Sequence, residues 1–152
     1  MIMVYGDTNF LTALICRGPH AEEALRLEEQ ARTQGTLPLP VTFLGRLEVT
    51  NSIEQQVFLT HCGVFGIRVT TEGAMINEAT FLDELQRGEI MRAVSVPEAE
   101  LESLFAALAH HHTAKERFRT YDIVHVASAI LLGCDTFWSF DVKARNWRRW
   151  KG

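Results

Sequence analysis

RTYDIVHVASAILLGCDTFWSFD, residues 119–141, contains the pattern that decides the fold of this chain. Residues 121–132 are mostly apolar, which predicts a buried helix, and Gly133 ends it. The apolar stretch 135–140 is too short for a helix and predicts a strand that leads into Asp141. A buried helix that continues through a glycine into a buried strand is typical of proteins that alternate strands and helices around a parallel sheet.

The rest of the chain shows the same alternation. No internal repeat, low-complexity tract or linker interrupts it, so we expect a single domain over residues 1–152. Strands alternating with helices favour an α/β fold with a parallel sheet that is covered by helices on both faces. The other predicted strands are 2–5, 37–42 and 91–96, and the other predicted helices are 8–16, 20–34, 44–61, 72–87, 97–111 and 142–150.

Acidic residues stand where strands should end or helices should begin. Asp7 and Asp141 follow the first and last strands, Asp122 begins the apolar helix, and Glu48 lies about one turn into the helix after the second strand. The carboxyl ends of parallel strands meet at one edge of a sheet, so all four side chains can reach it. Converging carboxylates repel one another unless a cation neutralises them, and oxygen ligands suit Mg²⁺ or Mn²⁺. The sequence therefore predicts a metal-dependent enzyme that acts on phosphate esters.

Three motifs resemble those of a known family. DTN at 7–9 has an acid with a small polar residue two positions later, and in VTFLGRLEVTNSI at 41–53 Thr42 precedes Glu48 by six residues. The stretch 119–141 carries the third and fourth motifs. In this order and spacing, the chain resembles the PIN domain family, the fold of the VapC-type ribonuclease toxins of bacterial toxin–antitoxin pairs.

The resemblance implies a three-layer α/β/α sandwich with a sheet of four to five strands. It also implies an endoribonuclease that depends on Mg²⁺ or Mn²⁺, with Asp7, Glu48, Asp122 and Asp141 as catalytic metal ligands. Asn9 and Ser139 occupy positions that support the acids in this family. The partners that it implies are an RNA substrate, a cognate antitoxin and a second copy of the chain in a homodimer.

Several of these residues have simpler interpretations. Each Asp could cap the helix that follows it instead of binding a metal. Glu54 is an alternative to Glu48, but six residues turn a helix by about 240°, so both cannot face one site. Glu48 has the spacing of the motif, which favours it. His125 lies on nearly the same helix face as Asp122 and could act as a general base or a ligand, but a hydrogen-bonded core histidine is the favoured interpretation.

Basic residues concentrate near the C-terminus, where eight of the fifteen Lys and Arg residues lie between 115 and 151. Arg119, Arg145 and Arg148 are candidates to contact the phosphates of RNA. Trp147 and Trp150 could stack on bases, although packing is the more common use of a tryptophan pair.

Composition limits the remaining classes of protein. No apolar run reaches the roughly 18 residues of a membrane span, and three cysteines without a CxxC pair favour a reducing cytoplasm. A catalytically silent PIN-like RNA-binding or scaffold module is an alternative, although all four acids are present. A magnesium-dependent aspartyl phosphatase is a weaker one, because that chemistry needs an Asp where this chain has Asn9.

Overall fold

The computed structural model describes residues 3–141, in which short strands alternate with helices. The strands are β1 (Val4–Gly6), β2 (Leu39–Val41), β3 (Met91–Ala93) and β4 (Thr136–Trp138). The α-helices are α1 (Thr8–Ile15), α2 (Ala21–Gln34), α3 (Phe43–His61), α4 (Thr71–Arg87), α5 (Glu98–Leu108), α6 (Ala114–Glu116) and α7 (Thr120–Leu131). A π-helical turn, Ala109–Thr113, joins α5 to α6. No helix in residues 3–141 is both long enough and apolar enough to cross a membrane.

The strands form two parallel pairs. β1 pairs with β4, with Tyr5 opposite Phe137, and β2 pairs with β3, with Pro40 opposite Arg92. β1 also lies beside β2, although no hydrogen-bonded ladder joins them within residues 3–141. The sequence of β2 explains the break. Leu39 and Val41 bond towards β3, so Pro40 faces β1, and a proline has no N–H to donate.

Apolar side chains cover both faces of the strands. On β1, Val4 packs into one core cluster and Tyr5 into the other, as the two-residue period of a strand requires. The first cluster contains buried residues of α1 to α4, and the second contains buried residues of α5 and α7. Helices therefore cover the strands on two sides, and the predicted α/β/α sandwich with parallel strands is confirmed.

The predicted elements within residues 3–141 are present, but their lengths differ. Each strand has three residues, so residues 94–96 of the predicted third strand are not strand. The helix predicted over 97–111 is α-helical only to Leu108 and then widens into the π-helical turn. The predicted last helix, 142–150, with Trp147 and Trp150, lies outside the described residues.

Candidate active site

Asp7 is buried at the point where β1 passes into α1. Its side chain is the N-cap of α1, with Oδ1 accepting a hydrogen bond from the Phe10 N–H at 3.1 Å. Its backbone N–H donates to the carbonyl of Trp138 at 3.0 Å, which extends the β1–β4 ladder by one residue. Capping and burial together fix this carboxylate at one end of the strands.

Ser139 and Asn9 connect the end of β4 to the Asp7 carboxylate. Ser139 is buried and forms a side-chain hydrogen bond with Asp7. Its Oγ also accepts bonds from Asn9 Nδ2 at 3.4 Å and from the Asp141 N–H at 2.9 Å. Because a hydroxyl has one donor and two acceptor sites, these contacts use Ser139 fully when it donates to Asp7. Asn9 also accepts from the Phe140 N–H at 3.0 Å, so both predicted supporting residues lie beside Asp7.

The environment of Asp7 changes its acidity. Burial raises the pKa of Asp7 from 3.8 to about 6, although hydrogen bonds from Ser139 and the Phe10 N–H and the nearby His125 lower it. The Asp141 carboxylate acts in the same direction as burial, because two negative charges repel. Asp7 and Asp141 are therefore electrostatically coupled across the strand ends.

This pKa predicts how stability depends on pH in metal-free protein. The folded state holds the Asp7 proton more tightly than the unfolded state, so the stabilisation is complete below pH 3.8 and is lost as pH rises through about 6. The unfolding free energy of wild type relative to Asp7→Asn should fall by on the order of 1 kcal/mol between pH 5 and pH 8. Urea unfolding of both proteins in EDTA measures this difference, and a difference that does not change with pH would contradict the burial effect.

His125 joins β1 to α3 through a chain of hydrogen bonds that is buried at Tyr5 and partly buried at Glu48. Its Nδ1 lies 2.7 Å from the Tyr5 hydroxyl, and its Nε2 lies 2.7 Å from Oε1 of Glu48 and 3.2 Å from Oγ1 of Thr8. A carboxylate can only accept, so Nε2 carries the proton that is donated to Glu48. Burial raises the pKa of Tyr5, which keeps its phenol protonated. The interpretation of His125 as a hydrogen-bonded core histidine agrees with this geometry.

Glu48 and Glu54 point to different neighbours. Glu48 is half-buried and faces His125, whereas Glu54 is exposed. Partial burial and the adjacent Glu54 carboxylate raise the pKa of Glu78, which places Glu54 against α4. Of these two glutamates, Glu48 is thus the one linked through His125 to Thr8, the residue that follows Asp7.

Asp122 lies in the first turn of α7. Its carboxylate accepts from the Arg119 N–H at 3.2 Å, which caps the helix as the local alternative predicted. Its neighbour Tyr121 lines a surface cavity of about 430 Å³ together with Glu48 and Thr8. Asp122 follows Tyr121 in the chain but does not itself line this cavity.

The donor set is suitable for a hard cation, because all four predicted ligands offer carboxylate oxygens. Asp7 and Asp141 are close enough to affect each other, and a cation between them would remove the repulsion. In residues 3–141, however, no three His, Cys, Asp or Glu side chains are already grouped to bind one ion. Glu48 is held by His125, and the contact of Asp122 is local.

The predicted basic residues are only partly described. Arg119 is exposed at the N-cap of α7, three residues before Asp122. Lys115 and Arg117 precede it on the same exposed segment. Arg145 and Arg148 lie outside the described residues.

Tyr5 and Thr8 were not predicted to belong to this region. A signal for Tyr5 is present in the sequence: it precedes Asp7 by two residues, so both face the same side of the first strand. No comparable signal links either residue to His125, which is more than a hundred positions away.

Among solved structures, the chain is similar to VapC20 of Mycobacterium tuberculosis, which is described as a toxin that cleaves the sarcin–ricin loop. The TM-score is 0.61, the sequence identity is 17%, and the match covers 93% of this chain and 92% of VapC20. At this identity the likeness shows the fold alone. No curated protein matches the sequence.

The family is established by sequence. The model of the PIN domain matches residues 4–149, which include all four predicted acids, both supporting residues and almost the whole described fold. This protein belongs to the PIN domain family.

Proposed function

We propose that this protein is an endoribonuclease that depends on Mg²⁺ or Mn²⁺ and is the toxin of a type II toxin–antitoxin pair. The observation that carries the proposal is the buried Asp7 carboxylate, coupled to Asp141 at the ends of β1 and β4, with the His125–Glu48 pair beside it. A second line of support is the fold shared with VapC20, which is described as a toxin that cleaves the sarcin–ricin loop.

Asp7, Glu48, Asp122 and Asp141 would hold the metal. Once bound, the ion would lower the pKa of a water molecule and neutralise the negative charge of the scissile phosphate. Water as the nucleophile makes the ribose 2′-hydroxyl unnecessary, so the products should carry a 5′-phosphate and a 3′-hydroxyl.

The protein's own residues have separate roles in this proposal. The α1 cap and Ser139 fix Asp7, and Asn9 holds the chain at Phe140 so that Asp141 stays close. His125 donates to Glu48 and keeps one of its oxygens in a fixed position. Arg119, with Arg145 and Arg148, contacts phosphates outside the metal site and orients the RNA strand.

Cleavage of single-stranded RNA tests this function directly. The purified protein should cut RNA with Mg²⁺ or Mn²⁺, and EDTA in excess should stop the reaction until the metal is restored, because unneutralised carboxylates repel the phosphate. The chemical groups at the product ends are identified by treating the products with a kinase or a phosphatase and recording whether either enzyme alters them. Cleavage that survives exhaustive chelation, or 2′,3′-cyclic phosphate ends, would rule out the metal mechanism.

The proposal includes protein partners. Large apolar side chains are exposed on α3, α4 and the segment between them, including Phe58, Phe65, Met75, Ile76 and Leu82. Groups of exposed apolar residues mark protein–protein contacts. We assign the partners as an antitoxin, whose Arg or Lys side chains would pair with the acids, and a second copy of this chain. A cytoplasmic location belongs to the same proposal, because RNA is the substrate.

A further inference from the structure

The cavity beside Glu48 has two different walls. One wall is formed by Thr8 at the start of α1 and by Tyr121 at the start of α7. The other wall is one face of α3, formed by Leu44, Leu47, Glu48, Asn51, Ser52 and Gln55. The α3 residues recur at intervals of three and four, so their side chains point to the same side of the helix. We call this space the Tyr121 cavity.

The Tyr121 cavity adjoins the candidate active site at Glu48 and Thr8. Glu48 lines it and is bonded to His125, and Thr8 contacts the same histidine. A group in this cavity would therefore lie directly beside Glu48 and next to Thr8, the residue that follows Asp7. The cavity continues along α3 on both sides of Glu48, from Leu44 to Gln55, so it has room for a part of the substrate that does not react.

The chemistry of the cavity suits a flat group with polar edges. Tyr121 is 55% exposed and Leu47 is 53% exposed, which leaves an aromatic ring and an apolar surface open to solvent. Asn51 and Gln55 are four residues apart on the same helix face, and each amide can both donate and accept hydrogen bonds. An aromatic ring stacks on any nucleobase, and amides can bond to the edge of the base.

We propose that the Tyr121 cavity binds one unpaired nucleobase of the RNA, adjacent to the scissile phosphate, with Tyr121 stacked on the base and Asn51 and Gln55 at its edge. This inference rests on the proposed function, because it places RNA at Glu48. It adds a substrate requirement: the nucleotide beside the cleaved bond must be unpaired. It also predicts that base preference depends on the two amides.

Binding in the Asp7→Asn background tests the cavity without cleavage. Fluorescence anisotropy would give the affinity for short single-stranded RNAs that carry one abasic nucleotide, scanned along the strand. At one position the missing base should weaken binding roughly tenfold. Adding Tyr121→Ala should weaken binding of the intact RNA by a similar factor. In that variant, removal of the base at this position should cause no further loss of affinity, because the stacking partner is already gone. Tyr121→Phe keeps the ring and should bind normally.

Leu25→Ala is the control, because Leu25 is an exposed apolar residue on α2 that neither lines this cavity nor belongs to the apolar surface assigned to protein partners. It should leave RNA affinity unchanged. Tyr121→Ala with unchanged RNA affinity would overturn the proposal. So would additivity, in which Tyr121→Ala and the abasic site together lose the sum of the binding free energies that each loses alone. A wild-type protein that cuts no RNA would remove the proposed function instead, and the binding cycle would still decide whether the cavity takes a base.

Discussion

Asp7→Asn is expected to reduce RNA cleavage by at least about a hundredfold while the protein stays folded. Asparagine is as good an N-cap as aspartate, so the bond from the Phe10 N–H to the side chain is kept. The amide carries no charge, however, so it cannot replace a carboxylate ligand. Single-turnover cleavage rates and thermal unfolding, measured on the same preparations, separate the loss of chemistry from a loss of structure.

Asp83→Asn is the control for this change. Asp83 is exposed on α4, where its carboxylate pairs with Arg87 at 3.3 Å, far in sequence from the four acids. Its removal should leave cleavage at the wild-type rate. In cells, expression of the wild-type chain alone should slow growth, and Asp7→Asn should relieve the effect. Equal effects of both chains on growth would reject the toxin function, although nuclease activity measured in vitro could remain.

Glu48→Gln should also reduce cleavage by at least about a hundredfold. The glutamine carbonyl can still accept the hydrogen bond from His125 Nε2, so the contact at 2.7 Å can be retained while the charge is lost. Stability should therefore change little, and metal affinity should fall. Titration with Mn²⁺, followed by its effect on the melting temperature, provides a measurement that does not depend on cleavage.

Glu54→Gln tests whether the loss of cleavage is specific to Glu48 in the second motif or follows from removing any negative charge from α3. Glu54 is exposed and lies against Glu78, so its neutralisation relieves a repulsion and touches none of the proposed ligands. This variant should cleave RNA at the wild-type rate. The opposite result, with Glu54 required and Glu48 dispensable, would move the second motif six residues along the helix.

The order of helices and strands was predictable because the residues that become buried are apolar and are spaced within a few positions of one another along the chain. The short apolar run in 2–5 and the longer one in 121–132 depend on neighbours within a few residues, and these elements are found as β1 and α7. The missing ladder between β1 and β2 was less predictable, since Pro40 interrupts hydrogen bonding there only because its backbone faces β1. That orientation depends on which strands lie side by side.

The candidate site likewise has some features that the sequence predicted and others that it did not. From its sequence alone, this chain could be assigned a parallel α/β fold, membership in a family and four acids at strand ends and helix starts, because each of these depends on local patterns and on spacing. Only the tertiary structure decided that His125 bonds to Glu48 and Tyr5, that Ser139 connects Asp7 to Asp141, and that Tyr121 faces α3 across a cavity. These contacts join segments that are far apart in the chain, and hydrogen bonds over such separations depend on how the packed layers bring side chains together, which no local period encodes.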